Sequence, residues 1–179
     1  MSRLDAPAEI VWEGKYLIVR KQGTWEYVGR ARGIHAAVIL AVDGDSEGAP
    51  HIILVEQYRV PLGRICLELP AGLVGDDAEG EAATAAAIRE LEEETGYRAV
   101  RMRDLGDYYS SPGMVSESFT LLRAEGLTKV GEGGGLPGEG ITVHRVPLAG
   151  IAGFVAAQRA RGVAIDVKLL LLLAGELLG

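Results

Sequence analysis

Cysteine is nearly missing from this chain: Cys66 is the single one in 179 residues. One cysteine excludes an intrachain disulfide and a zinc site built from several cysteines. It suits a reducing compartment, so we expect a cytoplasmic protein. Long hydrophobic runs are missing too, since the longest, residues 36–42 and 169–174, are far shorter than the roughly 20 residues that cross a bilayer. We therefore expect no membrane partner.

Basic residues are fewer than acidic ones, 18 against 25, which leaves a net charge of −7. Such a chain is a poor candidate for coating nucleic acid, so we expect no nucleic-acid partner. The charge does not argue against a small anionic substrate, because a bound divalent cation can reverse the local field. With 48% hydrophobic residues, the length suits one globular domain.

Strand-like segments outnumber helical ones and occur in runs. Eight segments are rich in β-branched and aromatic residues, and three fit helices. This order predicts an α+β fold in which a helix packs on a mostly antiparallel or mixed sheet, with a hairpin turn at VDGDSEGAP. The predicted strands are 16–21, 25–30, 35–42, 51–58, 65–69, 100–109, 118–124 and 141–146, and the predicted helices are 80–95, 148–161 and 165–178.

The stretch AAIRELEEETGY puts four glutamates into five positions. On a helix that ends at Gly96, the side chains of Glu90, Glu93 and Glu94 share one face. Glu92 projects to the far side. Like charges at this spacing repel, a cost that a solvated face tolerates and that bound cations cancel. Composition alone therefore leaves two interpretations, an ordinary solvated helix face and a site for hard divalent ions such as Mg²⁺.

The spacing around this cluster resembles the signature of the Nudix hydrolases. The mild departure is Tyr97, which stands where an aliphatic residue is more usual. The resemblance implies a Nudix fold, a mixed β-sheet sandwiched by helices with an N-terminal antiparallel strand region. It also implies a loop–helix–loop that holds Mg²⁺ or Mn²⁺ and promotes attack of water on a nucleoside diphosphate linked to another group. The matching residues are Gly75, Glu81, Arg89, Glu90, Leu91, Glu93, Glu94 and Gly96.

The carboxylates of this signature divide into roles. Glu90 and Glu94 lie one helical turn apart and form the best pair of metal ligands, with Glu93 completing the site or bridging a second ion. Arg89 is expected to orient these carboxylates, with Glu81 as an intermediary, rather than to contact substrate.

The first glycine of the signature has two candidates. In many relatives it belongs to a PAG sequence, which here ends at Gly72, three residues before Gly75. Either Gly75 has this role, or Gly72 has it and the following loop carries a three-residue insertion, which we favour. By resemblance, the backbone carbonyl of Ala71 is then a further metal ligand.

Three further stretches resemble the ADP-ribose pyrophosphatase branch of the family. SPG contains Pro112 and Gly113 at the branch's spacing from the signature, although an ordinary β-turn explains it equally. EQYR ends with Arg59, which by resemblance contacts the diphosphate and otherwise is a surface ion-pair residue. In TWEYVGR, Trp25 is expected to stack on adenine and Arg30 to reach the phosphates, whereas strand packing is the alternative for the tryptophan.

A general base is expected outside the signature. Relatives take a glutamate from the loop before the last strand, which here offers Glu132 and, two residues before that strand, the favoured Glu139. Six glycines in residues 131–140 predict a flexible lid at this loop. Glu117, in SPGMVSE, is a second candidate that the branch places near the metals.

The resemblance predicts one reaction and one assembly. The reaction is hydrolysis of a nucleoside diphosphate sugar, foremost ADP-ribose, to AMP and ribose 5-phosphate. The alternatives are another nucleotide sugar such as GDP-mannose, or a noncatalytic nucleotide-binding module. The assembly is a homodimer in which the strands of residues 1–34 exchange across the interface, while residues 35–179 form the catalytic domain. In such a dimer Trp25 and Arg30 serve the other subunit.

Overall fold

The strands of this protein form a large mixed sheet and two smaller ones, as described by a computed structural model of residues 6–31, 35–44, 47–74 and 82–179. In chain order the elements are β1 (Glu9–Glu13), β2 (Leu17–Gln22), β3 (Trp25–Arg30), β4 (His35–Gly44), β5 (Pro50–Arg59), β6 (Arg64–Glu68), β7 (Ala71–Val74), α1 (Ala83–Thr95), β8 (Tyr97–Arg98), β9 (Arg101–Tyr109), β10 (Ser118–Glu125), β11 (Thr128–Lys129), β12 (Thr142–Pro147), α2 (Ile151–Ala160), β13 (Ala164–Ile165) and α3 (Leu170–Leu177).

The large sheet has the strand order β13-β6-β5-β4-β10-β9, and β12 and β7 pair with β5 and β4 off this path. Two of its pairings, β4 with β10 and β6 with β13, are parallel, and the others are antiparallel. The hairpin predicted at VDGDSEGAP is confirmed, since Gly44 of β4 lies opposite Pro50 of β5. The sheet is therefore mixed, as the sequence predicts.

Helices cover both faces of the large sheet. Side chains of β4 alternate between the faces, as the period of two in a strand requires. Ala37, Ile39 and Ala41 pack in a core with α1, whereas Val38 and its neighbours pack in a second core with α2 and α3. From α1, the first core receives Ala86, Ala87 and Leu91. The predicted Nudix architecture, a sheet sandwiched by helices, is confirmed.

The N-terminal strands form a separate antiparallel sheet in the order β1-β2-β3. It is linked to the rest through a parallel bridge between Val28 and Val115, with Val28 N donating to Met114 O at 3.0 Å. This sheet exposes large hydrophobic side chains, namely Ile10, Val11, Trp12, Leu17 and Trp25.

Some elements differ from the prediction. Five strands were not predicted. β1 and β7 lack an alternating apolar pattern, and β8, β11 and β13 have only two residues each. The last helix was predicted from residue 165 but begins at Leu170, because Ile165 pairs with Leu67 of β6 and the Asp166 side chain accepts from Lys168 N at 2.8 Å. Residues 80–81 of the first predicted helix lie outside the described residues. None of the helices in the described ranges has the length and hydrophobicity needed to cross a bilayer.

Candidate active site

Helix α1 carries the acidic cluster into a cavity between the helix and β7. The helix ends at Gly96, which adopts a left-handed φ of 70° and donates its N–H to Glu92 O, as a glycine C-cap does. The cavity has a volume of about 300 Å³. It is lined by Gln57, Arg59, Ala71, Gly72, Leu73, Arg89, Glu90, Glu93, Glu94, Leu136 and Glu139.

Glu94 is the most buried acid of the cluster, with 6% of its surface exposed. The Ala71 N–H donates to Glu94 Oε2 at 3.1 Å, which connects the first residue of β7 to the helix. Burial raises the pKa of Glu94 to about 8; the hydrogen bond from Ala71 N–H acts against this rise, and the nearby charges of Glu90 and Glu139 act with it. This carboxylate is therefore costly to ionise without a counter-charge.

Arg89 connects two of the carboxylates. Its Nη1 donates to Glu90 Oε1 at 3.0 Å and to Glu93 Oε2 at 3.4 Å. Burial still raises the pKa of Glu90 despite Arg89, and Glu93 and Glu139 contribute repulsion in the same direction. Glu81, the predicted intermediary for Arg89, lies outside the described residues.

Glu92 is separate from the cavity, on the far side of the helix as its position predicts. It accepts from Arg98 Nε at 2.8 Å and from Arg98 Nη2 at 2.7 Å. Both side chains are exposed, and the pKa of Glu92 is lowered by its hydrogen bonds with Arg98. Such a pair contributes little to stability, so Glu92 keeps the interpretation of a solvated residue.

The donor set of the cavity fits a divalent cation. Carboxylate oxygens are the ligands that Mg²⁺ and Mn²⁺ prefer, and burial together with mutual repulsion disfavours these charges until a cation joins them. Within the described ranges, no three acidic, histidine or cysteine side chains already form a coordinating group. Arg89 holds Glu90 and Glu93 beside each other at the wall of this cavity.

Gly72 lies directly under Glu90. A Cβ atom at position 72 would overlap the Glu90 side chain and lie 2.6 Å from its Oε1, so only glycine fits while Glu90 keeps this position. Gly75, the other candidate for the first glycine of the signature, lies outside the described residues.

Arg59 reaches the cavity from the end of β5. Its Nε and Nη2 donate to the two carboxylate oxygens of Glu68 at 2.6 and 2.8 Å, a bidentate contact that raises the pKa of Arg59. Glu68 is buried, whereas the Arg59 side chain is 42% exposed. The pair thus presents one edge of the guanidinium to the cavity. Glu68 was not predicted, although a lone charge within the apolar segment ICLEL is a signal for it.

The glycine-rich loop before β12 brings Glu139 to the acidic cluster. Gly134 N donates to Glu94 O at 2.8 Å and Gly135 N donates to Glu93 O at 3.0 Å, so the loop binds the last turn of α1. These bonds satisfy helix carbonyls that otherwise lack partners. The loop is therefore attached to the helix at Gly134 and Gly135, and its role as a flexible lid stays a prediction. Glu132, the other candidate base in this loop, lines a different cavity.

A second cavity of about 470 Å³ adjoins the first and shares with it the wall formed by Arg59 and residues 71–73. Glu117 lines this second cavity, where its Oε1 accepts from Arg30 Nε at 2.6 Å. Glu117 is thus paired with a cation, and it is not among the residues that line the cavity of Glu90. Asp166 and Lys168, which were not predicted, also line the second cavity.

The remaining predicted substrate contacts lie outside both cavities. Trp25 is 55% exposed on β3. Pro112 and Gly113 form an exposed turn in which Met114 N donates to Ser111 O at 3.0 Å. Within this one chain, Pro112 and Gly113 thus form the ordinary turn that was the alternative interpretation of SPG. They are not among the residues that line the cavity of Glu90.

The site combines an acidic helix with a glycine-containing strand, on a mixed sheet that helices cover on both faces. Comparison with known families identifies the class of protein that has this arrangement. The NUDIX domain family matches residues 32–163, and the chain belongs to this family. The resemblance predicted from the spacing of the glutamates is confirmed.

Individual relatives support the assignment to the ADP-ribose pyrophosphatase branch of the family. The chain is 39% identical over 97 residues to ADP-ribose pyrophosphatase of Bacillus subtilis, covering 54% of this chain and 49% of that protein. It is 37% identical over 103 residues to ADP-sugar pyrophosphatase of Mus musculus, covering 50% of this chain and 46% of that protein. The crystal structure of an ADP compounds hydrolase matches with a TM-score of 0.68 at 25% identity, over 96% of this chain and 91% of that one. The chain spans about half the length of the curated relatives it matches.

Proposed function

We propose that this protein hydrolyses the diphosphate bond of nucleoside diphosphate sugars in a reaction that depends on a divalent metal, with ADP-ribose as the foremost substrate. The observation that carries the proposal is the convergence of Glu90, Glu93, Glu94 and Glu139 on one cavity that opens into a second one lined by arginines. Relatives named ADP-ribose pyrophosphatase and ADP-sugar pyrophosphatase support the choice of substrate.

Glu90, Glu93 and Glu94, with the backbone carbonyl of Ala71, would hold Mg²⁺ or Mn²⁺. Bound there, the metal supplies Lewis acidity for the diphosphate and lowers the pKa of a water molecule. Arg89 holds the carboxylates of Glu90 and Glu93 side by side, because its Nη1 donates a hydrogen bond to each of them. Gly72 has the role of the first glycine of the signature, since its lack of a side chain makes room for Glu90.

Arg59 binds the diphosphate with the edge of its guanidinium that Glu68 leaves to the cavity. A bidentate carboxylate behind an arginine restricts its rotation, so less entropy is lost when the arginine binds phosphate oxygens. Arg30 contributes a second cation at the wall of the adjoining cavity, where Glu117 orients it.

Glu139 acts as the general base that takes a proton from the attacking water. It lines the cavity of the metal ligands, and its charge raises the pKa of Glu90 and Glu94. Glu117 is a weaker candidate, since its carboxylate is already paired with Arg30. One water is consumed and one P–O bond of the diphosphate is broken, which yields a nucleoside monophosphate and a sugar phosphate.

The protein acts as a homodimer through the sheet β1-β2-β3, with residues 1–34 as the interface region and 35–179 as the catalytic domain. The apolar side chains that this sheet exposes, Trp12 and Trp25 among them, support a protein partner. In the dimer, Trp25 stacks on the adenine of the other subunit's substrate. Arg30, expected to serve the other subunit as well, lines the cavity of its own chain. Pro112 and Gly113 contact the substrate. Light scattering of wild type and Trp12→Glu tests this arrangement; a monomeric wild type would exclude it.

One assay tests the activity. The purified protein is incubated with ADP-ribose, ADP-glucose and GDP-mannose in Mg²⁺, in Mn²⁺ and in EDTA, and the products are identified by mass spectrometry. We expect AMP and ribose 5-phosphate from ADP-ribose, and none in EDTA. Faster turnover of GDP-mannose would make it the preferred substrate in place of ADP-ribose. No product from any of the nucleotide sugars would indicate a noncatalytic nucleotide-binding module.

The same assay compares the two candidate bases. We expect Glu139→Gln to lower kcat by about 10²–10⁴-fold with little change in KM, the loss typical of a general base. We expect Glu117→Gln to act mainly on KM, because it frees Arg30. The reverse pattern would assign the base to Glu117.

A further inference from the structure

The second cavity is lined in part by an ion pair, Asp166 and Lys168, that has no role in the reaction described above. Lys168 Nζ lies 2.7 Å from Asp166 Oδ2 and 5.6 Å from the centre of the Phe119 ring. The Phe119 ring itself stacks on Tyr108. Lys168, Asp166 and Phe119 all line the cavity.

The position of Lys168 is unusual for a lysine. Lysine side chains mostly extend into water, yet that of Lys168 is only 18% exposed and folds over an aromatic ring. The Lys168 side chain is not needed to cap the helical turn that follows, because the Asp166 side chain already accepts a hydrogen bond from the backbone N–H of Lys168. Ordering a long charged side chain costs up to ~2 kcal/mol of rotamer entropy, a cost that a ligand contact would offset.

The chemistry of the pair indicates which group it would bind. An ammonium paired with a carboxylate has no net charge, so it adds little attraction for a phosphate. It does offer N–H donors beside carboxylate acceptors, which is the combination that a sugar hydroxyl, both donor and acceptor, can satisfy. A paired lysine and aspartate at a cavity wall therefore fit a hydroxylated sugar better than an anion.

The location agrees with this chemistry. The cavity of Lys168 and the cavity of the metal ligands share Arg59, the proposed diphosphate contact. A diphosphate at this shared wall sends one of its two substituents toward Lys168. Trp25, to which the adenine is assigned, does not line this cavity, so we assign the substituent at Lys168 to the sugar on the other phosphate.

We propose that Asp166 and Lys168, supported by Phe119, form a subsite for the sugar of the substrate and that Lys168 donates to its hydroxyl groups. The inference rests on the proposed hydrolase activity and deepens it: Lys168 determines specificity for the sugar, and it takes no part in breaking the diphosphate.

A pair of substrates separates sugar recognition from the reaction itself. ADP-ribose carries the sugar, and the β-methyl ester of ADP has the same nucleoside and diphosphate with a methyl group in its place. In Lys168→Met, which keeps the stem over Phe119 and loses the donors, we expect KM for ADP-ribose to rise about tenfold, the effect of one hydrogen bond to a charged group. We expect kcat to be unchanged, and KM for the methyl ester to match wild type.

Two further variants serve as controls. Lys168→Arg keeps N–H donors and should restore part of the affinity for ADP-ribose. Lys15→Met makes the same chemical change at a lysine that also lies over an aromatic ring, 4.9 Å from the centre of Tyr16, and lines neither cavity. It should leave both KM values unchanged. If Lys168→Met does not fold, as judged by circular dichroism, Lys168→Leu, which also lacks donors, carries the same comparison.

The outcomes are distinct. A change confined to ADP-ribose supports the sugar subsite. An equal rise in KM for both substrates would place Lys168 at the phosphates or the nucleoside and overturn the inference, as would no change for either. A wild-type protein that hydrolyses neither compound would instead refute the proposed activity, and this subsite with it.

Discussion

Gly72 and Glu90 are in contact across the junction of β7 and α1, and a side chain at position 72 cannot coexist with the observed position of Glu90. Strand β7 pairs with β4 through four consecutive residues, which holds the backbone of Gly72 in place. The contact therefore sets the depth at which the acidic face of α1 meets the sheet.

The first prediction concerns this contact. Gly72→Ala should displace the Glu90 carboxylate, because its atoms are more movable than the paired strand. We expect kcat/KM to fall at least about 10²-fold, as for misplaced catalytic groups, while the fold persists. Steady-state kinetics and circular dichroism provide the measurements. Gly150→Ala is the matched control, since a Cβ there meets nothing within 4 Å. Near-normal activity of Gly72→Ala would remove Glu90 from the metal site.

The second prediction concerns the burial of Glu94. Its pKa of about 8 lies above the ~4.3 of an unfolded chain. A raised carboxyl pKa stabilises the fold below the unfolded value, and this contribution is lost as pH rises through about 8. Glu94→Gln removes the charge and keeps an oxygen that can accept from Ala71 N. In EDTA at about pH 9 we therefore expect the variant to exceed wild type by ~1–3 kcal/mol in free energy of unfolding.

Urea unfolding of both proteins between about pH 5 and pH 9 measures this difference, which should grow with pH. The same substitution at Glu92, which is exposed and paired with Arg98, should give no such gain. If the free energy of unfolding of Glu94→Gln equals that of wild type at every pH, burial of the Glu94 charge carries no cost and the prediction is wrong. The activity of Glu94→Gln should be lost in either case, because a proposed metal ligand is gone.

The third prediction concerns the attachment of the glycine-rich loop to α1. Gly133 has a φ of 72°, and a Cβ atom there would lie 2.6 Å from Glu94 O and closer still to the backbone of Thr95. Neither backbone can move aside easily, so Gly133→Ala should detach the loop and misplace Glu139. We expect kcat to fall by at least about tenfold and amide protons of residues 133–135 to exchange faster.

A second glycine in this loop provides the comparison. Gly138 also has a positive φ, of 103°, but a Cβ there meets nothing within 4 Å. Gly138→Ala thus has the left-handed strain of ~1–2 kcal/mol without the clash, and kcat should stay near wild type. Equal losses in the two variants would show that backbone strain, not contact with α1, controls the loop.

The fourth prediction concerns the reactivity of Cys66. Burial raises its pKa to about 12, and the nearby charges of Glu68 and Asp166 act in the same direction. At about pH 8 only ~1 thiol in 10⁴ is then ionised, against roughly a quarter of ordinary thiols. We expect iodoacetamide to label the native protein ~10³-fold more slowly than the urea-unfolded one, as followed by mass spectrometry. Rapid labelling of the native protein would show that the second cavity admits solvent to a thiolate.

Much of the local structure could be predicted from the sequence because it depends on neighbours along the chain. The alanine-rich run that ends at Gly96 predicts α1, and its period of 3.6 residues separates Glu92 from Glu90 and Glu94. The family signature follows from the same spacing. The short strand β7 was not predictable, because it pairs with β4, which is distant in sequence, and β1 was not predictable because its residues lack an alternating apolar pattern.

The partners of the charged residues required the tertiary structure. Arg59 and Glu68 meet although the strand register sets Glu68 opposite Val55 and Arg59 opposite Arg64, a separation that only a long side chain can span. The choice between Glu139 and Glu117 likewise depends on where two loops come to rest on α1 and on the second cavity.

By itself, then, the sequence determined the acidic helix, the α+β class and the family, because helix periodicity and motif spacing are properties of near neighbours. Only the tertiary structure decided which glycine lies under Glu90, which acid stands behind Arg59, and that Lys168 lines the second cavity. These are contacts between segments far apart in the chain, and strand register and core packing, not local pattern, determine them.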